Sequence, residues 1–231
     1  MRIRLISAAF FLLPFVGCTS AEDTDSEEEL RAGNKMTCVV DGKTLTGTGE
    51  QVQIGGFGVT GDTMSLALDL DIDQDGQQLA VTTGLTKLPI RKGSYRFPDL
   101  ASDGYGGGGY KVRNGDGDLL KDFSEANYLV FYAQKAKDPA TRLLISFSEI
   151  EKLPASLPDF VRIKMKGAFR FKAAHVPYVS GNLSEACIQE AYLHSLKHGR
   201  RYPQYNASIC GAEKVDVSGT FEVTQDFMEV K

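Results

Sequence analysis

Alternation of apolar and polar residues is the dominant pattern along this chain of 231 residues. In residues 63–73, TMSLALDLDID, every second position is apolar: Met64, Leu66, Leu68, Leu70 and Ile72. A period of two is that of a β-strand with one buried face and one exposed face. The alternation resumes at Leu79 after the pair Asp75-Gly76. An Asp-Gly pair between two alternating runs predicts a β-hairpin.

The same pattern predicts further strands, at residues 36–40, 93–97, 127–136, 141–150, 161–174 and 214–224. Two of them, 161–174 and 214–224, share a plan: each carries a central glycine, Gly167 or Gly219, followed two residues later by phenylalanine. A glycine inside a strand marks a bulge or a bend of the sheet. The repeated plan predicts that these two strands are neighbours and that the segment between them is an insertion.

This insertion, at about residues 175–212, contains the one convincing helical pattern. Asn182 and Ser184 compete as its N-cap, and Gly199 is expected to close its far end. The apolar face of the helix consists of Ile188, Tyr192 and Leu196. With about nine strands and one short helix, we expect a mainly β fold, an antiparallel β-sandwich or a partly closed barrel with the helix in the insertion.

The N-terminus has the pattern of a secretion signal. Arg2 and Arg4 precede a mostly apolar run, residues 5–16, that is too short to span a bilayer. The run ends in Phe-Val-Gly-Cys at residues 15–18. A short apolar run after positive charges predicts an export signal that is removed.

The sequence Phe-Val-Gly-Cys resembles the lipobox of bacterial lipoproteins. The resemblance implies that residues 1–17 are a signal peptide and that Cys18 receives a lipid and becomes the new N-terminus. It also implies a place in the bacterial cell envelope, with the outer membrane as the default because Thr19 is not an aspartate. Phe15 stands where leucine is usual, which leaves an ordinary signal peptidase site and a soluble periplasmic protein as the alternative.

Residues 18–34 are predicted to be an acidic, disordered tether. Like charges at this density repel one another and bury no apolar surface. The acidic residues are Glu22, Asp23, Asp25, Glu27, Glu28 and Glu29. Residues 35–231 are expected to form a single β-rich domain.

The charge balance excludes one class of partner. Without Arg2 and Arg4 the chain keeps 24 basic against 30 acidic residues, a net charge of about minus six. An acidic protein without a basic segment is poorly suited to nucleic acid. Membrane contact is therefore expected through the lipid, and the possible partner is an envelope protein or an anionic polymer.

Three cysteines follow Cys18, an odd number in a compartment where disulfides form. Cys187 and Cys210 flank a polar segment, and we expect them to form a disulfide. Cys38 alternates with Met36 and Val40 and is expected to be a buried free thiol.

Two acidic segments carry part of a calcium-loop pattern. Residues 71–82 have aspartates at the first, third and fifth positions and a glycine at the sixth, but Thr82 occupies the twelfth, where a bidentate glutamate is needed. Residues 114–125 end in Glu125, but Leu119 stands where the sharp turn needs glycine. We therefore expect hairpins and neither a metal nor another cofactor, and a calcium-dependent binding module stays an alternative.

Two other segments have weaker functional interpretations. The glycine-rich stretch 102–111 is expected to be a mobile loop on which Tyr105 and Tyr110 contact a ligand. His194 and His198 share one helical face but lack the spacing and the third ligand of a zinc site, and a solvated surface explains them.

Five cations alternate along the strand 161–174: Arg162, Lys164, Lys166, Arg170 and Lys172. Cross-strand ion pairing with an acidic strand is the simplest explanation, and Asp69, Asp71 and Asp73 are the expected partners. The alternative is contact with an anionic envelope polymer.

No catalytic residue is predicted, because neither G-x-S-x-G nor S-x-x-K occurs. The leading hypothesis is a non-enzymatic binding or structural module for a protein or an envelope polymer, acting through the insertion and the glycine-rich stretch. A calcium-dependent module and, more remotely, a hydrolase are the alternatives.

Overall fold

The fold is mainly antiparallel β, as the alternation predicts. The computed structural model describes residues 31–96, 106–125, 142–155, 157–175, 185–198 and 212–230. Within these ranges 11 strands form one sheet. They are β1 (Lys35–Val40), β2 (Lys43–Thr48), β3 (Val52–Thr60), β4 (Thr63–Gln74), β5 (Gln77–Pro89), β6 (Gly93–Arg96), β7 (Gly106–Asn114), β8 (Leu119–Ser124), β9 (Leu144–Pro154), β10 (Phe160–His175) and β11 (Lys214–Met228). One α-helix, α1 (Glu185–His198), lies between β10 and β11.

The strand order is β2-β1-β11-β10-β8-β7-β5-β4-β3. One edge of β10 pairs along its whole length with β11. Its other edge is divided, since β9 pairs with residues 161–170 and β8 pairs only with Ala174 and His175. β6 pairs with β9 outside the main order.

The two ends of this strand order come together in space. β2 and β3 lie at opposite ends of the order, yet only the short 3-10 turn Gly49–Gln51 separates them in the chain. A parallel bridge joins Val59 of β3 to Glu229, and the backbone N–H of Val230 donates to the Val59 carbonyl at 2.8 Å. The molecule is thus one open sheet that curls around a single core, the partly closed form of the predicted architecture.

The predicted hairpin at Asp75-Gly76 is confirmed. β4 and β5 pair from Gln74–Gln77 outward. Asp75 and Gly76 both have positive φ, 54° and 74°, as the two-residue turn of type I′ requires. Leu66, Leu68 and Leu70 of β4 are buried in the core, and the intervening residues form the outer face of the sheet.

β10 and β11 are neighbours, as their shared plan predicts. The register places Gly167 opposite Phe221 and Phe169 opposite Gly219. Each ring therefore covers the glycine of the other strand on the core side. A register shift between Lys166 and Gly167 in the pairing with β9 forms a bulge at the same place.

The glycine-rich stretch is not a mobile loop over its described part. Residues 106–111 belong to β7, which lies between β5 and β8 in the middle of the sheet. Gly108 gives space to the ring of Phe171, because a Cβ there would overlap that ring. Tyr110 is buried and stacks on Phe123 with ring centroids 5.8 Å apart. Tyr110 is thus a core residue and not a ligand contact, and Tyr105 lies outside the described residues.

The helix occurs where it is predicted, between the residues proposed as its caps. Its apolar face, however, does not enter the core: Ile188, Tyr192 and Leu196 are 53%, 62% and 63% exposed. Helical periodicity specifies which residues share a face but not which surface covers that face. Among the described residues, no helix has the length and apolarity needed to cross a membrane.

Candidate functional site

A groove of about 450 Å³ crosses four neighbouring strands, β1, β11, β10 and β9, on the outer face of the sheet. Most of its lining residues alternate with the buried core positions of these strands, and Met36 and Phe221 are themselves core residues. The lining residues are Lys35, Met36, Thr37, Ser146, Ser148, Lys166, Gly167, Ala168, Thr220, Phe221 and Glu222.

Small side chains in one register form the floor of the groove. Thr37 pairs with Thr220, Thr220 with Ala168, and Ala168 with Ser146, so that one short residue from each strand lies in a line across the sheet. Long side chains at these positions would fill the depression. The sheet register, which brings together residues from distant parts of the chain, therefore creates the groove.

Gly167 lines the groove at the bulge of β10. A Cβ on Gly167 would overlap the carbonyl oxygen of Ser146, and it would lie 2.6 Å from Cζ of Phe221. Real Cβ atoms do not approach other atoms so closely, so this position requires glycine. Phe221, which is buried in the core, also lines the groove.

The two serines of the groove are held by hydrogen bonds to β10. The Ser146 hydroxyl donates to the Ala168 carbonyl at 3.3 Å, and the Ser148 hydroxyl donates to the Lys166 carbonyl at 3.1 Å. Each hydroxyl oxygen keeps its lone pairs for a further donor. Both serines therefore present fixed hydrogen-bond acceptors to an occupant of the groove.

Charged residues form a second line parallel to the floor. Lys35 pairs in register with Glu222, and Glu222 pairs with Lys166. Nζ of Lys166 lies 3.7 Å from Oε2 of Glu222, a long ion pair whose side chains are 48% and 41% exposed. Within the groove lining this row has two cations and one anion. The same register continues from Lys166 to Glu149 of β9, which does not line the groove.

The basic alternation of β10 is paired across strands, but the predicted partners are wrong. Asp69, Asp71 and Asp73 lie on β4, which β8, β7 and β5 separate from β10 in the sheet order. The acidic partners lie instead on β11, and the ion pairs are Arg162–Asp226, Lys166–Glu222 and Lys172–Asp216. The prediction failed because an antiparallel register selects neighbours by topology and not by the density of opposite charge in the sequence.

Arg162–Asp226 is the most enclosed of these pairs. Nε and an Nη of Arg162 donate to the two carboxylate oxygens at 2.7 and 3.0 Å, and the side chains are 23% and 20% exposed. The hydrogen bonds to Asp226 raise the pKa of Arg162 above its ordinary value. This bidentate pair fixes the register of β10 and β11 beside the groove.

The first acidic segment, 71–82, is a hairpin and not a calcium loop. Asp71 and Asp73 lie on the exposed face of β4 and pair in register with Ala80 and Gln78 of β5. Thr82 lies opposite Asp69, so the segment forms two paired strands and not a loop around an ion. Asp69 is half-buried, and desolvation together with the charge of Asp71 raises its pKa to about 6. Lys111 of the nearby β7 opposes that rise.

The second acidic segment, 114–125, is a turn followed by a strand. Oδ1 of Asn114 accepts the backbone N–H groups of Asp116 and Asp118, at 3.1 and 2.7 Å, and this stabilises the turn. β8 then carries Glu125 to the other end of the hairpin. Within the described ranges, no group of three or more His, Cys, Asp or Glu residues has a metal-binding arrangement.

Glu125 has a structural position instead. It is 4% exposed, and its Oε1 accepts the backbone N–H of Leu143 at 3.1 Å. Burial raises its pKa, and the hydrogen bonds from Leu143 and Gly108 oppose that rise. The carboxyl group thereby links β7 to the start of β9. Near this point the strand paired with β10 changes from β9 to β8.

His175 of β10 does not line the groove. Nδ1 of His175 lies 3.0 Å from the Asp122 carbonyl oxygen, and its ring packs on Phe123. The side chains of His194 and His198 lie outside the described residues.

The cysteine predictions are partly confirmed. Cys38 is a buried free thiol, as expected, and burial raises its pKa to about 12. Cys187 is fully buried in α1. Cys18 and Cys210 lie outside the described residues, so the lipidation and the disulfide stay predictions.

Sequence reasoning missed the groove as a site. The cations of β10 were one visible signal in the sequence. The sequence does not show which strands pair, however, so it does not reveal that the acids of β11 face these cations or that short residues of four strands lie in one line. No protein-family model matches the chain, and neither a curated protein nor a solved structure matches it significantly. The geometry of the groove is therefore the basis for assigning a function.

Proposed function

We propose that this protein is a lipid-anchored, non-enzymatic binding module of the bacterial cell envelope that holds an envelope polymer in the outer groove. The lipid at Cys18 would attach the module stably to a membrane, because several acyl chains on one cysteine anchor a protein more firmly than a single chain.

The groove is the observation that carries the proposal. Four neighbouring strands place short residues in one line across the outer face, and this line forms the floor of the groove. A depression of about 450 Å³ lies within the size range of ligand sites. It is bordered by exposed Lys166 and Glu222, so an occupant would remain in contact with solvent along one side.

An open depression suits an extended chain that enters and leaves at both ends. A small metabolite usually needs a cleft that surrounds most of its surface. The side chains at the groove rim are about half exposed and do not enclose a ligand in that way. A segment of a polymer extends beyond the site at both ends, so the site need not surround it.

The hydroxyl chemistry supports binding and not covalent catalysis. A nucleophilic serine needs a neighbouring base that takes its proton. Ser146 and Ser148 donate instead to main-chain carbonyls, which are too weakly basic to activate them. These two hydroxyl groups therefore serve as hydrogen-bonding groups.

Metabolic labelling tests the anchor. Cells that produce the full-length protein are grown with radiolabelled palmitate, and the protein is recovered in detergent. We expect label on the native chain and none on Cys18→Ala. An unlabelled native chain that is released in soluble form would indicate ordinary signal cleavage and remove the anchor from the proposal.

Co-sedimentation tests the groove. The full-length protein in detergent is mixed with purified peptidoglycan sacculi, and the bound fraction is measured. Ala168→Tyr fills the floor and is expected to abolish most of the binding. Ser218→Tyr, on the exposed face of β11 outside the groove lining, is the matched control and is expected to bind like the native chain. Equal binding by all three proteins would exclude the groove as the polymer site.

A further inference from the structure

We infer that the groove recognises an acidic glycan, a chain of sugar residues that carries spaced anionic groups, lying across the strands of the sheet. This inference rests on the proposed function and specifies its ligand class. It is argued from the charge row, the line of hydroxyl groups and the spacing of the strands.

The charge row provides one anion-binding position. Lys35 and Lys166 stand on either side of Glu222 in one register, and both lysines line the groove. Glu222 holds Lys166 only through a long contact of 3.7 Å, and the pair is nearly half exposed. Such a contact contributes little, so an incoming carboxylate or phosphate can replace it at small cost.

The line of short residues provides the hydrogen-bonding position. Thr37, Thr220 and Ser146 present one hydroxyl group from each of three strands. Neighbouring strands lie about 4.8 Å apart, so groups on this line recur at about 5 Å or a multiple of it. A sugar chain carries several hydroxyl groups per residue and therefore meets donors and acceptors at each of these positions.

The two lines run parallel across the sheet. Lys35 and Thr37 are two residues apart on β1, and Glu222 and Thr220 are two apart on β11. The charge row and the line of hydroxyl groups thus adjoin on β1 and β11. A ligand that follows both must carry negative charge and hydroxyl groups side by side, which is the chemistry of an acidic glycan.

The charge of the whole protein limits the density of charge on the ligand. The chain is acidic overall, with 30 acidic against 26 basic residues, so a densely charged polyanion is repelled outside the groove. The groove lining has two lysines against one glutamate, and Glu149 of β9 follows Lys166 in the same row. These two conditions favour a glycan with separated anionic groups over a nucleic acid.

Binding measurements with three soluble polymers test the ligand class. The probes are polygalacturonate, which is an acidic glycan, neutral dextran of matched length, and polyglutamate, a polyanion without sugar. Full-length protein in detergent is expected to bind polygalacturonate more tightly than either of the others. Equal affinity for dextran would show that the ligand need not be anionic. Equal affinity for polyglutamate would show that the ligand need not be a glycan.

Charge variants test the position. Lys166→Gln and Lys35→Gln are each expected to weaken polygalacturonate binding about two- to fivefold at low salt, the effect of one exposed ion pair. Lys164→Gln is the matched control, because Lys164 is exposed on the same face of β10 but does not line the groove. An equal loss with Lys164→Gln would show that binding follows general charge and not this site.

Glu222→Gln gives a test with the opposite sign. It removes the competing carboxylate, and we expect about two- to fivefold tighter polygalacturonate binding without a change in dextran binding. A loss of affinity would overturn the proposed displacement of Glu222.

The outcomes separate the inference from the proposed function. If polygalacturonate does not bind but Ala168→Tyr still abolishes sedimentation with sacculi, the ligand class is wrong and the groove remains the polymer site. If Ala168→Tyr has no effect on either polymer, both proposals are wrong.

Discussion

Phe169 of β10 lies directly over Gly219 of β11, so that a Cβ on this glycine would be 2.6 Å from Cζ of the ring. The reverse contact, Phe221 over Gly167, occurs two residues along the same pair of strands. Aromatic side chains that cover cross-strand glycines fix register and compensate for the missing side chain. This reciprocal contact joins the two longest strands of the sheet directly beneath the groove.

Gly219→Ala is predicted to destabilise the protein by about 1–3 kcal/mol, the usual cost of forcing an extra methyl group into a packed core. The added carbon would also lie 2.9 Å from the Thr37 carbonyl oxygen, a backbone atom that cannot move aside freely. Urea denaturation measures the change. Gly84→Ala is the control, because a Cβ at Gly84 meets nothing within 4 Å, and we expect a near-neutral effect there. Similar losses at both positions would show that packing against Phe169 is not the cause.

The ion pairs of β10 and β11 are predicted to differ in strength along the same two strands. Arg162–Asp226 is bidentate and mostly shielded, and a double-mutant cycle should give a coupling energy above about 1 kcal/mol. Lys166–Glu222 is long and nearly half exposed, and the corresponding cycle should give less than about 0.5 kcal/mol. Stability measured at low and high salt checks the difference, since only the exposed pair is strongly screened. Equal coupling energies would contradict this ranking.

Asp69→Asn is predicted to stabilise the protein at pH 8 and to do so less at pH 4. The pKa of Asp69 is raised from 3.8 to about 6, so the native state binds this proton more tightly than the unfolded chain. The resulting stabilisation is complete below pH 3.8 and is lost as the pH rises towards 6. At pH 8 the native carboxylate is charged beside Asp71, and its removal should raise Tm by about 2–4 °C after allowance for solvent screening.

Thermal melts of the native chain, Asp69→Asn and Asp73→Asn across this pH range test the sign. Asp73 is exposed on the same face of β4 and provides the matched control. A stabilisation by Asp69→Asn that is larger at pH 4 than at pH 8 would contradict the proposed desolvation of Asp69.

Thiol counting is predicted to distinguish three states of the chain. Cys38 is fully buried with a pKa raised to about 12, so iodoacetamide should not react with the folded protein. Unfolding without a reductant should expose one reactive thiol, because Cys18 is proposed to carry lipid and Cys187 to pair with Cys210. Unfolding with a reductant should expose three. Intact-mass spectrometry reads the number of adducts, and Cys38→Ala should remove the single adduct of the unreduced state. Three adducts without reductant would exclude the disulfide.

The parts of the fold that sequence reasoning recovered depend on local signals. The Asp75-Gly76 hairpin follows from two adjacent residues that tolerate positive φ. The neighbourhood of β10 and β11 follows from their matching glycine and phenylalanine positions. In both cases the informative residues lie within the elements that they define.

The errors concern partners that are distant in the chain. Glycines such as Gly108 are compatible with a loop and equally with close packing, and the deciding contact is Phe171, which lies on another strand. The cations of β10 were assigned to the most acidic strand, although the acids of β11 pair with them. The groove itself combines Thr37, Ser146, Ala168 and Thr220, and no local pattern indicates that these four residues share one line.

Lys35 is both a groove residue and the first residue of β1. The described structure begins four residues earlier at Arg31, whose carbonyl accepts the backbone N–H of Asn34 at 2.9 Å. If Cys18 carries the lipid, 13 residue steps lead from it to Arg31, and a fully extended chain of that length reaches about 45 Å. The module would therefore reach only the layer of the envelope nearest its own membrane. The length of the tether would determine which polymers lie within its reach.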